Sequence, residues 1–159
     1  MSPEGAKITR RRAIALRKFC DKLLQKYLPS NMPYEFVISL DKHITDRMWD
    51  RCIHPRKVSR LLTHLVKYHL CEVLWYAEAK PAIRLAIMDE DDNYLMIGAT
   101  THKYDKPDGT TKYVLRLRSV YYERNRTRLI EQHVIRINDN ELYPFKTVCQ
   151  SDDDLSESE

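Results

Sequence analysis

The sequence predicts an α+β protein in which N-terminal helices pack on a twisted antiparallel sheet of four to five strands. Up to about residue 69, apolar residues recur every three or four positions, which is the period of a helix. Beyond that point apolar and polar residues alternate, which is the period of a strand. Short loops of turn-forming residues separate the later segments, and such loops favour antiparallel pairing of consecutive strands.

The first helix is predicted over residues 7–28. Residues at steps of three and four form one apolar face: Leu16, Phe19, Leu23 and Tyr27. The other surface is strongly basic and carries Arg10, Arg11, Arg12, Arg17, Lys18, Lys22 and Lys26. The prolines at positions 29 and 33 end this helix.

Two further helices are predicted before the change of period. The segment Tyr34–Leu40 is either a short extended piece or the approach to the second helix. Asp41 is a suitable N-cap for a helix over residues 42–53, because its carboxylate can accept a hydrogen bond from a free backbone N–H. Pro55 fits the first turn of a third helix over residues 55–68, with Val58, Leu61, Leu62 and Leu65 on its apolar face.

Five strands are predicted in the remainder of the chain. They cover residues 71–79, 82–90, 94–102, 111–122 and 128–138. Because the helices come first and the strands follow, we expect one layer of helices against one sheet.

The charge of the chain is divided unevenly along its length. We predict a single domain over residues 1–150 and a disordered acidic tail over residues 151–159. The chain of 159 residues has a net charge of +4, but five of its 23 acidic residues lie after Ser151. Residues 1–150 therefore hold 27 basic and 18 acidic residues, which predicts a polyanionic partner.

Composition excludes several other classes of protein. No apolar run approaches the ~20 residues of a membrane helix, and no apolar stretch follows the N-terminal arginines as in a secretory signal, so we expect a cytoplasmic protein without a membrane partner. The four cysteines form no C-x-x-C pair and no finger-like spacing with histidine, which favours reduced core residues over a metal site. The three glycines are isolated, so we expect no phosphate-binding loop and no cofactor.

The predicted second helix carries the first candidate site. His43, Arg47 and Arg51 follow one another at steps of four and therefore share a helix face. A guanidinium can form two parallel hydrogen bonds with a phosphate, and an imidazole can transfer a proton near neutral pH. The alternative is a solvated charged face on which Asp46 and Asp50 neutralise the arginines.

The predicted third helix adds two histidines. His64 lies between leucines, and His69 follows five residues later, about 140° further around a continuous helix. The two imidazoles therefore do not share a face if the helix continues. The alternative for each is an ordinary packed side chain.

The predicted strand over residues 111–122 supplies further basic groups. Arg116 and Arg118 alternate with apolar residues and so lie on the polar face of a sheet. Rings that could stack on bases are Tyr104, Tyr113, Tyr121 and Tyr122. The alternative is a solvated strand face with ordinary β-forming tyrosines. More distant candidates for phosphate contacts are Arg10, Arg11 and Lys67.

Two imidazoles, several arginines and no evident metal cluster fit one chemistry, which is the transesterification of RNA. One histidine removes the proton of the 2′-OH group, the other protonates the 5′-oxygen, and arginines stabilise the phosphorane. The products are a 2′,3′-cyclic phosphate and a 5′-OH group. DNA is resistant because it has no 2′-OH group.

Two histidine motifs follow each other in this chain. They are His43-x-x-Asp46-Arg47-x-x-x-Arg51 and His64-x-x-x-x-His69-x-x-Glu72-Val73, and Leu95-x-x-Gly98-x-Thr100 comes later. In this order they resemble the core of the phage RegB endoribonucleases, over roughly residues 8–122 at low identity. The resemblance implies a fold like that of the RelE and YoeB ribonuclease toxins.

The same resemblance implies a metal-independent, sequence-selective endoribonuclease that cuts early phage messages within purine-rich ribosome-binding sequences. It implies single-stranded mRNA as substrate, stimulation by a ribosomal protein, His43 and His64 as the catalytic histidines and Arg47 as the catalytic arginine. Arg51, Arg116 and Arg118 would hold neighbouring phosphates. The interval from His43 to His64 is one residue longer than in the family, so His69 is the alternative second histidine.

Two other functions remain open from the sequence. A non-catalytic RNA-binding regulator on the same scaffold needs the arginines and tyrosines but not the histidines. A phage inhibitor of a host protein would use the acidic tail as its contact.

Overall fold

The computed structural model describes residues 3–91, 95–123 and 133–138. The described chain is an α+β fold of four helices and five strands, as the sequence predicts. In chain order the elements are α1 (Pro3–Tyr27), β1 (Tyr34–Leu40), α2 (Ile44–Asp50), α3 (Pro55–Tyr68), α4 (Leu70–Ala79), β2 (Arg84–Asp89), β3 (Leu95–Asp105), β4 (Thr111–Tyr122) and β5 (His133–Ile137).

The strands form one mixed sheet in the order β1-β4-β3-β2-β5. The pairs β2–β3 and β3–β4 are antiparallel, as their short connections predict. The pairs β1–β4 and β2–β5 are parallel, so the prediction of an antiparallel sheet is wrong for these two pairs. Each parallel pair joins strands that are distant in the chain, so no hairpin fixes their relative direction.

The sequence predicts a strand over residues 71–79, but the structure shows that this segment belongs to helix α4. Its buried residues follow the spacing of one helix face: Leu70, Val73, Leu74 and Ala77. A short apolar run fits the strand period and the helix period equally well, and burial against the core decides between them.

Helix α2 is shorter at both ends than the predicted span of residues 42–53. His43 occupies the N-cap position, and Asp41 Oδ1 accepts a hydrogen bond of 2.9 Å from the His43 backbone N–H in the preceding turn. At the other end the Ile53 N–H donates to the Met48 carbonyl at 2.9 Å, the long hydrogen bond of a Schellman motif. Cys52 lies between them with φ 54°, a left-handed conformation that ends the helix.

Most other boundaries agree with the sequence prediction. Helix α3 and strand β4 coincide with their predicted spans, and Tyr34–Leu40 is a strand. Strand β5 covers part of the predicted residues 128–138, whereas residues 128–132 and the predicted acidic tail, residues 151–159, lie outside the described residues. Within the described chain, no helix has the length and apolar character needed to cross a membrane.

The two faces of the sheet differ in what covers them. Helices α1, α3 and α4 pack on one face, here called the helix face, where Leu61 and Leu65 of α3 share a buried core with Ile97 and Leu117. The opposite face is here called the outer face. It carries a smaller apolar cluster of Ala86, Met88 and Met96 with Tyr121 and Val134, next to polar side chains of β3 and β4.

Candidate functional site

A β-bulge in β4 shapes the outer face. In the register of β3 and β4, Gly98 pairs with Ser119 and Ala99 pairs with Leu117, so Arg118 is an inserted residue. A bulge of this kind bends the strand and redirects side chains. Arg118 and Ser119 both line the same groove although they are consecutive in the strand.

The groove has a volume of about 540 Å³. Three arginines from three different elements line it: Arg47 of α2, Arg84 of β2 and Arg118 of β4. Asp41 is the one carboxylate among its described lining residues, so the groove is positively charged. The Tyr121 ring also lines it, which adds an aromatic surface to the cationic one.

Gly98 forms part of the wall of this groove. A Cβ atom built on Gly98 would lie 2.7 Å from Ser119 Oγ and 3.6 Å from the Tyr121 ring. The missing side chain of Gly98 therefore leaves room for Ser119 and Tyr121 to line the groove.

Helix α2 is attached to the edge of β4 by two arginines. Arg47 Nη1 donates to the Arg118 carbonyl at 2.9 Å, and Arg51 Nη1 donates to the Val120 carbonyl at 2.6 Å. Strand β1 pairs with β4 only as far as Leu117, so the arginines satisfy carbonyls beyond the end of the strand pair. Arg47 also lines the groove, whereas Arg51 serves as an anchor and does not line it.

His43 is the N-cap residue of α2 and lies in the sequence between Asp41 and Arg47, which both line the groove. Its side chain is 56% exposed, and its Nδ1 lies 3.7 Å from Asp46 Oδ2. The hydrogen bond from the His43 N–H lowers the pKa of Asp41, and the positive charges of Arg116 and Arg47 lower it further. Asp41 is therefore ionised at neutral pH, and Arg116 Nη2 lies 3.9 Å from Asp41 Oδ2.

A second histidine, His102, is connected to Arg118 through a threonine. Arg118 Nε donates to Thr100 Oγ1 at 3.2 Å, and Thr100 Oγ1 shares a hydrogen bond of 3.0 Å with His102 Nε2. Burial lowers the pKa of His102, and the charges of Arg118 and Arg116 lower it further. The imidazole is therefore neutral at pH 7 and can accept a proton.

His64 is not part of this arrangement. It belongs to α3 on the helix face, where its ring packs on Tyr68 of the same helix at a centroid distance of 5.7 Å. His64 is absent from the described residues that line the groove, so the structure does not bring it together with Arg47 there, and its role as a catalytic histidine stays a prediction.

The structure places the other predicted residues of α3 and α1 outside the groove as well. His69 lies at the junction of α3 and α4, with its Nδ1 2.8 Å from Glu72 Oε1. Lys67 Nζ lies over the Tyr68 ring at 5.0 Å. Arg10 and Arg11 are exposed on α1, which packs on α3, α2 and β1, and neither residue lines the groove.

Sequence reasoning missed three residues of this region, Arg84, Gly98 and His102, as functional groups. The alternation of residues in β3 offers a usable signal. Gly98, Thr100 and His102 are alternate residues and therefore lie on the same face of the strand, and Thr100 pairs with Arg116 of β4. Arg84 gave no such signal, since a single arginine at the start of a strand is common.

Within residues 3–91, 95–123 and 133–138, no three His, Cys, Asp or Glu residues are grouped closely enough to hold a metal ion. In comparisons with known proteins, the chain matches no family model, no curated protein and no solved structure.

Proposed function

We propose that the groove on the outer face binds single-stranded RNA and that the protein is a metal-independent, sequence-selective endoribonuclease acting on mRNA in the cytoplasm. The observation that carries this proposal is the convergence of Arg47, Arg84 and Arg118 on one groove. Planar guanidiniums bind phosphate oxygens in pairs, which suits them to an RNA backbone. The histidine motifs that resemble the RegB endoribonucleases point to the same class.

The groove also suits RNA in its size and its lining. A volume of about 540 Å³ is within the range of small-molecule sites and can hold a nucleotide. The Tyr121 ring offers a surface for a base, and Ser119 offers a hydroxyl group. Single-stranded RNA is commonly recognised by such combinations of aromatic and cationic groups on a sheet.

For the chemistry we propose His43 and His102 as the histidine pair. His102 is neutral because its pKa is lowered, so it is suited to remove the proton of the 2′-OH group. The 2′-oxygen then attacks phosphorus, and the bond from phosphorus to the 5′-oxygen breaks as His43 donates a proton to that oxygen. Arg47 and Arg118 stabilise the charge on the phosphorane, and the products are a 2′,3′-cyclic phosphate and a 5′-OH group.

The test is incubation of the protein with a single-stranded mRNA leader in EDTA, followed by mapping of the new ends. We expect cleavage of the RNA and not of the matching DNA. His43→Gln, His102→Gln and Arg118→Met should each abolish cleavage, whereas His54→Asn, which keeps a capping side chain at the start of α3, should retain it. A strict requirement for a divalent metal ion would contradict the mechanism.

The variant His64→Gln distinguishes between two possible catalytic pairs. One is His43 with His102, proposed from the structure, and the other is His43 with His64, implied by the motif resemblance. If His64→Gln abolishes cleavage in a folded protein while His102→Gln does not, the second histidine is His64 and the groove is not the reaction site. Circular dichroism of both variants checks that they are folded.

A specific observation favours a second candidate function, RNA binding without cleavage. Among the described residues that line the groove there is no histidine: His43 is the N-cap of α2, and His102 reaches Arg118 only through the Thr100 hydroxyl. A non-catalytic regulator predicts that the histidine variants bind RNA as well as the wild type and that no cleavage occurs in any condition. Arg118→Met would still weaken binding.

A further inference from the structure

The outer face continues beyond the groove along β3 and β4, and among the described residues Tyr104 is the most exposed large ring on it. The Tyr104 residue is 53% exposed, and its ring lies near-parallel to that of His102, at an interplanar angle of 23° and a centroid distance of 6.3 Å. We infer that Tyr104 is a stacking site for the base of a nucleotide further along the same RNA strand as the one in the groove. This inference rests on the proposed function.

The direction of the Tyr104 side chain is fixed by its neighbour in the strand. Lys103 Nζ donates to Glu78 of α4 at 3.1 Å, so Lys103 points to the helix face. Successive residues of a strand point to opposite faces, so Tyr104 points to the outer face with His102 and Thr100. Tyr104 lies six residues from Gly98, which places it about 20 Å along the strand from the groove wall.

The other three candidate tyrosines are engaged elsewhere. Tyr113 donates a hydrogen bond to Glu78 and contacts the Tyr34 ring edge-on at 5.2 Å. The Tyr122 hydroxyl accepts a hydrogen bond from Lys57 Nζ at 3.1 Å. Tyr121 packs on the apolar cluster beside the groove. Of these four rings, Tyr104 is therefore the one with an exposed face available for stacking.

The charges along β4 differ between the groove and Tyr104. Arg118 supplies positive charge to the groove, and Arg116 lies between the groove and Tyr104 in the register, opposite Thr100. Opposite Tyr104 lies Lys112, and Glu35, which pairs with Lys112 in β1, accepts a hydrogen bond from Lys106. The contact that the Tyr104 side chain itself offers a nucleotide is stacking of its neutral ring on a base.

Binding of a fluorescein-labelled octa-adenylate RNA to the full chain provides the first test. Tyr104→Ala should weaken binding roughly 5- to 150-fold, the range expected for loss of one stacked base. Tyr104→Phe keeps the ring and should bind within about twofold of the wild type. The matched control is Trp75→Ala, which removes a 54% exposed ring from α4, on the other side of the sheet, and should leave affinity unchanged.

The salt dependence of the affinity distinguishes stacking from charge. Tyr104→Ala should leave the slope of log affinity against log salt unchanged, because no phosphate contact is lost, whereas Arg118→Met should reduce its magnitude by about one. A 2-aminopurine base moved along the octamer should be quenched at one position by the wild type, and Tyr104→Ala should abolish that quenching.

The outcomes separate this inference from the proposed function. If Arg118→Met weakens binding and Tyr104→Ala does not, the stacking site is wrong and the RNA-binding groove stands. If the wild type does not bind the octamer at low salt, both are wrong.

Discussion

The two faces of the sheet use the same residue types in opposite settings. On the helix face, Arg60 of α3 pairs at 2.5 Å with Asp89 Oδ2, a carboxylate whose side chain is 1% exposed. On the outer face, Arg118 contacts a neutral hydroxyl, Thr100 Oγ1, and lines a groove. An arginine paired with a buried carboxylate stabilises the fold. A neutral hydroxyl does not neutralise the charge of an arginine, so that charge remains available to bind an anionic ligand.

The tyrosines repeat this contrast. Burial raises the pKa of Tyr113 to about 12, with the hydrogen bond to Glu78 and the charge of Glu78 adding to the effect. Tyr104 is on the neighbouring strand and presents its ring to solvent. Residue type alone therefore does not identify a site in this protein. For Tyr113 and Tyr104, the face of the sheet on which the ring lies decides whether it is engaged within the fold or exposed to solvent.

The largest expected effect comes from the arginine of the helix face. Arg60→Met should lower the free energy of unfolding by about 2–3 kcal/mol, because the buried Asp89 carboxylate loses its guanidinium partner. Arg118→Met is the matched substitution on the outer face and should cost less than about 1 kcal/mol. Urea denaturation measures both. Equal losses of unfolding free energy in Arg60→Met and Arg118→Met would show that the two arginines contribute equally to stability.

In RNA binding the order of the two effects should be reversed, with Arg118→Met causing the larger loss of affinity. Arg118→Met should weaken binding of single-stranded RNA by roughly 30-fold, which corresponds to about 2 kcal/mol for a charge-assisted contact. Arg60→Met should change the affinity less than about twofold where it remains folded. Fluorescence anisotropy at fixed salt checks this. A loss of affinity in Arg60→Met alone would move the binding site to the helix face.

A smaller effect is expected from Gly98 in the groove wall. Gly98→Ala should lower the free energy of unfolding by about 1 kcal/mol, because the new Cβ meets Ser119 Oγ at 2.7 Å. In a Ser119→Ala background the same change should be neutral or stabilising, since alanine is favoured over glycine within a strand. A double-mutant cycle by urea denaturation measures this coupling. If the changes in unfolding free energy are additive, the contact with Ser119 does not determine the effect of Gly98→Ala.

The smallest effect concerns the pH dependence of stability. His102 has a pKa below its ordinary value of 6.5 in the folded protein, so the unfolded chain binds a proton first as the pH falls. Stability should therefore decrease as the pH falls from 6.5 to the lowered pKa and show no further contribution from this group below it. His102→Gln should remove this part of the slope in unfolding measurements between about pH 7.5 and about pH 5. An unchanged slope would contradict the lowered pKa.

The elements that sequence predicted best are those with local signals at both ends. Helix α3 begins at Pro55 and ends at Tyr68, with His69 as its non-helical C-cap, and its apolar spacing is regular throughout. Strand β4 alternates over most of its length. The segment that became α4 lacked such signals, because ten mostly apolar residues carry no clear period.

The sequence determined the fold class, most element boundaries, the basic character of the domain and two of the groove arginines, Arg47 and Arg118. These follow from local spacing and composition. Tertiary structure decided the parallel pairing of β1 with β4, the meeting of Arg84 with those arginines, and the position of His64 outside the lining of the groove. The physical reason is that spacing places a residue on a face of its own helix or strand, whereas packing between distant segments determines which faces meet.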